Sequence, residues 1–597
     1  MSRSAAPFIA TSLLALITAC APTPPVAITP AGWDRAADSA AALAHFRSNI
    51  RTIHERDRPA YLEHYLESER LVRAGPAGVD HGFAGLAAGD PDVWPDTLVA
   101  THFSVTPISP GVAYGAYHYR VVQSGVSQRG VSERVLRREE GGDWTITVST
   151  AFPSPGDRPV PPFALVGGTV IDGTGAPPLA DATVVMRDGR IACVGDCPLE
   201  DDVHPIDASG RWIVPGLVDS HVHYSQTGWA DGRPDATDLR DRFPYAETVA
   251  ELEENPERFH RSWLCSGVTS VFDVGGFPWT QRLRAATEAA TDAPRVAASG
   301  PLLSTRDHWL NLPDARQFVH MADEAATREG ARAIVARGTD AIKVWYLVSE
   351  TAPDTAAWKS RLRAAASEAR EAGVPLIVHA TNLWAAKDAL RAGAGLLVHS
   401  VDDRAVDHEF LDLARAAGAF YSPTLTVREG YVELLSRSFD PERVPLDCVD
   451  PVTREKAFLT DELPPAEGLD AAAYRAGVEA GYRRMLENLK RVHDAGIPVA
   501  TGTDAGNPLT LHGPSIYREM EAMAEAGLTP MEVLVASTRN GARAMRRDDF
   551  GTIESGMGAD LVVVNADPLD DVRNLREVRL IVRNGEVWTR DELAYPR

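Results

Sequence analysis

The sequence predicts an α/β protein whose largest part is a (β/α)8 barrel, with a strand-rich segment on either side and an α+β segment in front. Two features predict the barrel. Short apolar segments recur along the chain, and each ends in a polar residue. Between them lie Ala-, Arg- and Glu-rich stretches with helical spacing, which end in a Gly suited to a helix C-cap. Repeated strand and helix units imply a parallel sheet, and about eight of them imply a closed barrel.

The first apolar segment of the barrel, WIVPGLVDSHVHY, ends in two histidines, His221 and His223. Strand side chains alternate between the two faces of a sheet, so both imidazoles point to the same side. Two imidazoles on one face can bind one metal ion. The pair alone is weak evidence, because any strand with two alternating histidines has this pattern.

Four later apolar segments also end in residues that suit a metal site. These residues are Lys343 in GTDAIKV, His379 in AGVPLIVHA, His399 in AGAGLLVHS and Asp504 in AGIPVATGTDAG. Neutral imidazole and carboxylate are good ligands for zinc and similar divalent ions. Because barrel enzymes carry their chemistry at the C-terminal ends of the strands, we expect these side chains to lie together.

This ordered set of six residues resembles the metal site of the amidohydrolase superfamily in its binuclear form. The neighbouring phrases GVTSVFDVGG, ASGPLLS, DAIKVW and TGTDAGNPLTLHG resemble more narrowly the imidazolonepropionase-like and Xaa-Pro-dipeptidase-like branch. The resemblance covers about residues 163 to 592, and every metal-site position is filled.

The resemblance implies two divalent metal ions, with zinc expected. His221, His223 and Asp504 are expected to bind the first ion, and His379 and His399 the second. An ammonium group cannot ligate a cation. The resemblance therefore implies that Lys343 is carboxylated by carbon dioxide and bridges the two metals as a carbamate.

The implied reaction is hydrolysis of an amide bond in a small molecule, such as a dipeptide or an N-acyl amino acid. A metal-bridging hydroxide acts as the nucleophile, and Asp504 acts as the general base. Lactones, carbamates and cyclic imides are alternative substrates in the same superfamily. A ligand-binding lipoprotein without catalysis is the non-enzyme alternative, which a degenerate metal set would favour.

Four further residues are predicted to contact the substrate. His308 follows the third strand, and His512 follows the eighth. Tyr224 and Arg306 are weaker candidates, because a loop Tyr or Arg is usually solvated or packed. Arg306, Arg428 and Arg437 are alternative partners for a substrate carboxylate, and the sequence does not choose among them.

The barrel is assigned to residues 216–547. Residues 163–215 and 548–592 consist of short alternating strands with Gly, Asn-Gly and Asp-Gly turns, and the resemblance implies that they meet as a composite β-sandwich. Residues 33–155 begin with helical stretches and end with strands, so they predict an α+β domain. This segment resembles the SnoaL-like cone fold.

The N-terminus predicts export. Residues 1–20 combine one Arg with an apolar run too short to span a bilayer, and LITAC resembles a bacterial lipobox that ends in Cys20. The expected result is a lipoprotein attached to the cell envelope through Cys20, facing the periplasm or the exterior. Secretory cleavage near Ala19 or Ala21 is the alternative. The Pro-rich residues 21–32 would be a stiff linker.

Composition and charge narrow the set of partners. The net charge of -23 argues against nucleic acid, since no basic patch large enough to offset it is present. The expected partner is a small-molecule substrate. Contact with a membrane is expected only through the lipid anchor. The sequence leaves open whether the protein forms a homo-oligomer. Cys193 and Cys197 are close enough to pair, whereas Cys265 and Cys448 are expected to be buried or free.

Overall fold

The computed structural model describes residues 33–595, except 76–77, 90–93, 95–96, 124–125, 139–141, 154–161, 201–202, 314 and 464–469. The predicted signal peptide, linker and lipidated Cys20 lie outside the described residues. The chain forms two compact units that divide after Arg158. Within the described part of the chain, no helix has the length and apolar character needed to cross a membrane.

The first unit consists of three helices and one six-stranded sheet. Its elements are α1 Arg35–Glu55, α2 Arg58–Glu63, β1 Val72–Gly75, β2 Gly78–His81, α3 Phe83–Ala87, β3 Thr97–Ser109, β4 Val112–Gln123, β5 Val126–Arg138 and β6 Trp144–Pro153. The strand order is β2-β1-β6-β5-β4-β3, and the β1–β6 pair is parallel while the other pairs are antiparallel. The sheet buries Phe46 and Ile50 of α1 against Leu136 and Ile146.

The second unit contains the remaining strands. They are β7 Phe163–Val170, β8 Leu179–Arg187, β9 Arg190–Gly195, β10 His204–Asp207, β11 Trp212–Pro215, β12 Leu217–Val222, β13 Val268–Asp273, β14 Arg295–Ala298, β15 Leu302–Ser304, β16 Phe318–His320, β17 Ile342–Trp345, β18 Leu376–His379, β19 Leu396–Val398, β20 Phe420–Ser422, β21 Leu561–Val564, β22 Val578–Arg583 and β23 Glu586–Thr589.

The α-helices of the second unit lie mostly between the parallel strands. They are α4 Tyr245–Glu254, α5 Glu257–Cys265, α6 Leu283–Glu288, α7 Glu324–Ala336, α8 Thr355–Ala372, α9 Leu383–Ala392, α10 His408–Ala417, α11 Val427–Ser436, α12 Pro451–Phe458, α13 Ala471–Asp494, α14 Ser515–Glu525, α15 Pro530–Ala536, α16 Arg539–Ala544 and α17 Arg590–Leu593. The predicted C-cap is present in α8, where Gly373 adopts the left-handed conformation with φ of 73°.

Both flanks of the predicted barrel contribute to one eight-stranded sheet. The strand order is β23-β22-β21-β11-β7-β8-β9, with β10 paired to β7. The antiparallel β11–β21 pair joins the two flanks. Alternating residues of β7 reach different clusters, since Phe163 and Leu165 pack in one and Ala164 in another.

The remaining strands of the second unit are parallel and lie in two sheets. One has the order β12-β13-β14, and the other has the order β16-β15-β17-β18-β19-β20. Two isolated parallel bridges, Tyr421 to Val499 and Val222 to Ala505, extend the pairing beyond these sheets. The predicted α/β class is therefore confirmed.

Two disulfides occur among the described residues. Cys193 bonds to Cys197, and Cys265 bonds to Cys448 across 183 positions of sequence. Cys265 and Cys448 are buried as expected, but the alternative that they are free is wrong. Only the tertiary fold brings the end of α5 next to residues 446–448.

Candidate metal centre

The six residues predicted as metal ligands converge at the C-terminal ends of the parallel strands. His221 lies in β12, Lys343 in β17 and His379 at the end of β18, while His399 directly follows β19. The rings of His379 and His399 are 4.3 Å apart between centroids, and those of His221 and His399 are 4.8 Å apart.

Asp504 lies at the centre of this cluster. Its Oδ1 is 2.9 Å from Nε2 of His223 and 3.3 Å from Nε2 of His221, and its Oδ2 is 3.9 Å from Nδ1 of His399. His221, His399 and Asp504 each have one ligand atom within 4.8 Å of those of the other two. A single divalent ion can be reached by all three side chains.

The ring of His221 provides the test of whether the cluster suits a metal. Its side chain is buried, and neither ring nitrogen has a hydrogen-bond partner. Buried polar atoms in proteins are almost always paired, because an unpaired one costs about 1–3 kcal/mol. A cation at this position would satisfy Nε2, so the donor set fits a divalent metal ion.

Hydrogen bonds orient two of the other imidazoles. Nδ1 of His223 donates to the carbonyl oxygen of Gly275 over 2.6 Å, which places the hydrogen on Nδ1 and leaves the lone pair of Nε2 free. Nδ1 of His399 lies 2.7 Å from Oγ1 of Thr424. Outer contacts of this kind fix the ring and the tautomer of metal-binding histidines.

Backbone geometry at the centre is unusual. His399 and Asp504 have positive φ values of 70° and 64°, a region that non-glycine residues rarely adopt. Backbone hydrogen bonds hold both residues there, because the amide of His399 donates to Ser422 and that of Asp504 donates to His221. A Cβ at Gly502 would lie 2.3 Å from Oγ of Ser422, so this close approach requires Gly.

Two buried aspartates behind the ligands were missed from the sequence. Asp219 accepts hydrogen bonds from the amide and hydroxyl of Thr503 and from the amide of His221. Asp273 accepts from the amides of Tyr224 and Gly275. Burial raises the pKa of Asp219 to about 7 and that of Asp273 to about 6. The available signal was their place in the strands, because Asp273 ends β13 and Asp219 lies in β12 two residues before His221.

Burial also changes the titration of the predicted ligands. It lowers the pKa of Lys343 to about 7, with Asp504 and Asp273 opposing the shift. Burial, followed by the nearby positive charge of Lys343, lowers the pKa of His221 and His379 well below the usual range. These two imidazoles are therefore held neutral, which is the form that binds a metal.

A cavity of about 490 Å³ opens onto the cluster, and its lining includes all six predicted ligands. This volume lies within the roughly 300–1,000 Å³ of small-molecule sites. Its walls include five aromatic residues: Tyr245, Phe318, Trp345, Tyr431 and Tyr474. Polar side chains on the walls include Arg233, Asp402, Arg428 and Asn507. The arrangement suits a small organic substrate next to metal ions.

The sequence profile of the amidohydrolase family matches residues 212–588. The chain belongs to the amidohydrolase family. This amidohydrolase is 28% identical to the imidazolonepropionase of Mycolicibacterium smegmatis over 449 residues, which cover 70% of this chain and 93% of that relative. It is 28% identical to the imidazolonepropionase of Streptomyces avermitilis over 438 residues, which cover 70% of this chain and 88% of that protein.

Solved structures show the same fold. A Xaa-Pro dipeptidase with methionine bound in the active site has a TM-score of 0.55 and 22% identity, covering 72% of this chain and 100% of its own. Molinate hydrolase has a TM-score of 0.54 and 24% identity, covering 73% of this chain and 98% of its own. Together with the family match, these relatives identify the amidohydrolase as a hydrolase.

The four side chains predicted to bind substrate do not line the cavity of the amidohydrolase. Tyr224 is fully buried in the core, and Arg306 is exposed. His512 is buried, and its ring stacks on Phe259 at 3.7 Å while Nε2 donates to the carbonyl oxygen of His223. His308 packs 5.4 Å from Trp345, a residue of the cavity wall.

The polar wall of the amidohydrolase cavity contains residues that the sequence did not single out. Asn507 accepts hydrogen bonds from Arg233 and from the hydroxyl of Tyr431, the latter over 2.7 Å. Its amide nitrogen donates to the backbone carbonyl of Asp504 over 3.0 Å. Asn507 therefore connects two cavity side chains to the backbone of Asp504. Of the three arginines proposed for a substrate carboxylate, Arg428 lines the cavity.

A larger cavity of about 630 Å³ lies on another side of the amidohydrolase, along α8, α9 and α10. Its walls carry charges that neutralise each other, such as Lys387 with Asp407 at 2.6 Å and with Glu409 at 2.7 Å. It contains none of the predicted metal ligands. We therefore assign the chemistry to the cavity of 490 Å³.

Proposed function

We propose that the protein is a binuclear metal hydrolase that cleaves the amide bond of a small molecule, in the class of N-acyl amino acids and dipeptides. The observation that carries this proposal is the ring of His221, whose buried nitrogens make no hydrogen bond although Nε2 lies 3.3 Å from Oδ1 of Asp504. Such a cluster is costly without a cation and well matched to one.

The residues divide into two ligand groups. His221, His223 and Asp504 would hold one divalent ion, most readily zinc, and His379 and His399 would hold the other. Metal ions bound here would polarise a carbonyl oxygen and lower the pKa of bound water toward neutrality.

Lys343 is proposed to carry a carbamate derived from carbon dioxide. Its side chain is 3% exposed and belongs to the same cavity wall as the four histidines. Only the neutral amine attacks carbon dioxide, and a pKa near 7 makes that form abundant at neutral pH. The product is an anion with two oxygens, which offers the ligand atoms that an ammonium group lacks.

Asp504 is proposed as the proton carrier. Its Oδ1 lies within 3.3 Å of His221 and His223, whereas its Oδ2 lies 3.9 Å from Nδ1 of His399. Oδ2 would accept the proton of the attacking water and deliver it to the nitrogen of the leaving amine. The contact of Asn507 with the backbone of Asp504 supports this orientation.

The substrate class is supported by the cavity and by the relatives. Aromatic walls suit an apolar side chain, and the paired guanidinium groups of Arg233 and Arg428 are polar contacts for the rest of the molecule. The similar proteins include a Xaa-Pro dipeptidase and imidazolonepropionases. Both names fit hydrolysis at a carbon–nitrogen bond.

We also propose that the parallel strands form one (β/α)8 barrel over residues 216–547, in which segment 499–505 is the eighth strand. The bridges from Val499 to Tyr421 and from Ala505 to Val222 support this closure. Residues 33–155 are proposed as a separate cone-like domain, and residues 163–215 with 548–592 as a third domain.

Export through a lipoprotein signal remains our proposal for the N-terminus. Two disulfides support it, because structural disulfides persist mainly in oxidising compartments. Incorporation of labelled fatty acid into the full chain, and its loss in Cys20→Ser, would test the lipid anchor. Equal labelling of both chains would contradict it.

The decisive test of function is a hydrolysis screen of dipeptides, N-acyl amino acids, lactones, carbamates and cyclic imides. Metal content is measured in the same protein, and carbon-13 NMR under labelled carbon dioxide tests the carbamate, with Lys343→Ala as the control. We expect amide cleavage, about two metal ions per chain and a carbamate signal absent from the variant. A protein that holds no metal and cleaves no amide would refute the proposal.

A further inference from the structure

A third cavity, of about 240 Å³, lies between α11 and α13. Its lining includes Leu425, Arg428, Val432, Val478, Tyr482 and Met485. The volume is below the roughly 300 Å³ at which small-molecule sites begin, so the cavity is too small to hold a separate ligand of that size. It is large enough to hold part of one.

The wall between this side cavity and the catalytic cavity includes Arg428 and Met485, because both residues line both spaces. Each has a long unbranched side chain. Methionine adapts its shape to irregular gaps. The side chain of Arg428 is 40% exposed, and its guanidinium group pairs with Asp402. A wall of this kind can rearrange without a movement of the backbone.

The side cavity has a predominantly apolar interior. Leu425, Val432, Val478 and Met485 provide aliphatic or thioether surface. The acidic residues of α11 that border it already have partners in the protein. Glu429 pairs with Arg518 at 2.8 Å, and Glu433 pairs with Arg443 at 3.2 Å. Arg475 and Glu479 add further charge to the lining, so the aliphatic surface is the part that suits an apolar occupant.

From this geometry we propose that the side cavity is a substrate subsite that takes the apolar end of a long N-acyl chain. The amide lies next to Asp504, and the chain passes between Arg428 and Met485 to reach Val432 and Val478. This inference rests on the proposed function, and it narrows the substrate class to N-acyl amino acids with extended aliphatic acyl groups.

Val478→Trp tests the subsite, because position 478 is half-buried and lines the side cavity but not the catalytic one. Ala476→Trp, on the exposed face of the same helix, is the matched control for the added indole. The substrates are N-acetyl-, N-butanoyl- and N-octanoyl-L-phenylalanine, and kcat/KM is measured with the metal-loaded full chain.

For the wild type and Ala476→Trp, we expect kcat/KM to rise at least about tenfold from acetyl to octanoyl, since each buried methylene contributes a factor of roughly four. In Val478→Trp this increase should disappear, while the acetyl substrate is cleaved as before. An unchanged dependence on acyl length in Val478→Trp would overturn the subsite.

Calorimetric binding of N-acetyl- and N-octanoyl-L-phenylalanine to the same three proteins separates the subsite from the proposed reaction. Tighter binding of the octanoyl compound that Val478→Trp abolishes supports the subsite even if the wild type cleaves none of the series. Absence of cleavage would count against the proposed function. Equal affinity for both compounds in the wild type would overturn the subsite, whatever the catalytic result.

Discussion

Nε2 of His223 lies 2.9 Å from Oδ1 of Asp504. The opposite nitrogen of the same ring, Nδ1, donates to the carbonyl oxygen of Gly275, which fixes the orientation of the ring. The lone pair of Nε2 then points to the same space as Oδ1 of Asp504. Two acceptor atoms placed side by side in this way suit a shared cation, as the proposed function requires.

Asp504→Asn is expected to lower kcat by about 10²- to 10⁴-fold, because an amide cannot accept the proton of the attacking water. It should also reduce the metal content, since one anionic ligand is lost. Kinetics on the best amide substrate and metal analysis measure both effects. Asp412→Asn is the control, as this exposed aspartate lies on α10 in a surface ion pair with Arg415. Wild-type activity in Asp504→Asn would contradict the mechanism.

Tyr431→Phe removes the hydroxyl that donates to Asn507 and keeps the aromatic wall. Because Asn507 also bonds to the backbone of Asp504, we expect a loss of roughly tenfold in kcat with unchanged metal content. Tyr595→Phe, which deletes a hydroxyl bonded to the carbonyl oxygen of Arg258, should leave kcat unaltered. If Tyr431→Phe loses metal instead of rate, Tyr431 stabilises the centre and does not orient Asp504.

The sequence predicted that the six proposed ligands lie together, because each comes at or near the end of an apolar segment, and all six line one cavity. His221 and His379 lie at strand ends, where the pattern of residues and the position in the fold coincide. The α/β class followed from the same repetition. Such signals are local, so a single sequence is enough to show them.

The polar residues of the cavity wall could not be predicted in the same way. Arg233, Tyr431 and Asn507 come from three loops or helices far apart in sequence, and no local pattern marks them. His512 was predicted to contact the substrate because it follows the eighth strand, but its ring packs on Phe259 in the core. The Cys265–Cys448 bond likewise depends on tertiary contact.

The carboxyl group of Glu519 is expected to make a pH-dependent contribution to the stability of the protein. It is fully buried, and it accepts hydrogen bonds from the amides of Leu425 and Thr426, next to the loop that carries Thr424. Burial raises the pKa of Glu519 to about 8, with these hydrogen bonds opposing the shift. A raised pKa means that the stabilisation is fully present below about pH 4.5 and is lost as the pH rises through about 8.

Glu519→Gln cannot ionise, so the Tm of the wild type should fall relative to that of the variant between pH 5 and pH 8.5. We expect the difference in Tm between the two proteins to change by about 2 °C or more across this range. Thermal unfolding by fluorescence measures it, with the exposed Glu487→Gln as the control. A difference that stays constant with pH would show that Glu519 keeps one protonation state.

The two disulfides are expected to contribute unequally to stability. In the loop-entropy picture, a bond across 183 positions contributes about 5 kcal/mol, whereas one across 4 positions contributes about 2 kcal/mol. The Cys265–Cys448 bond also holds the segment between α11 and α13, and both of these helices contribute residues to the cavity. The ion pair of Asp447 with Arg590 at 2.8 Å also holds this segment, so it limits the loss of stability when the disulfide is removed.

The double variant Cys265→Ser/Cys448→Ser should therefore have a lower Tm, faster proteolysis between residues 437 and 463, and a KM that rises more than kcat falls. Cys193→Ser/Cys197→Ser is the matched control, and it should lose less stability and keep its KM. Thermal unfolding, limited proteolysis and steady-state kinetics on the two proteins make the comparison. An equal or larger effect of the control would mean that the segment between α11 and α13 is positioned by its packing and not by the long-range bond.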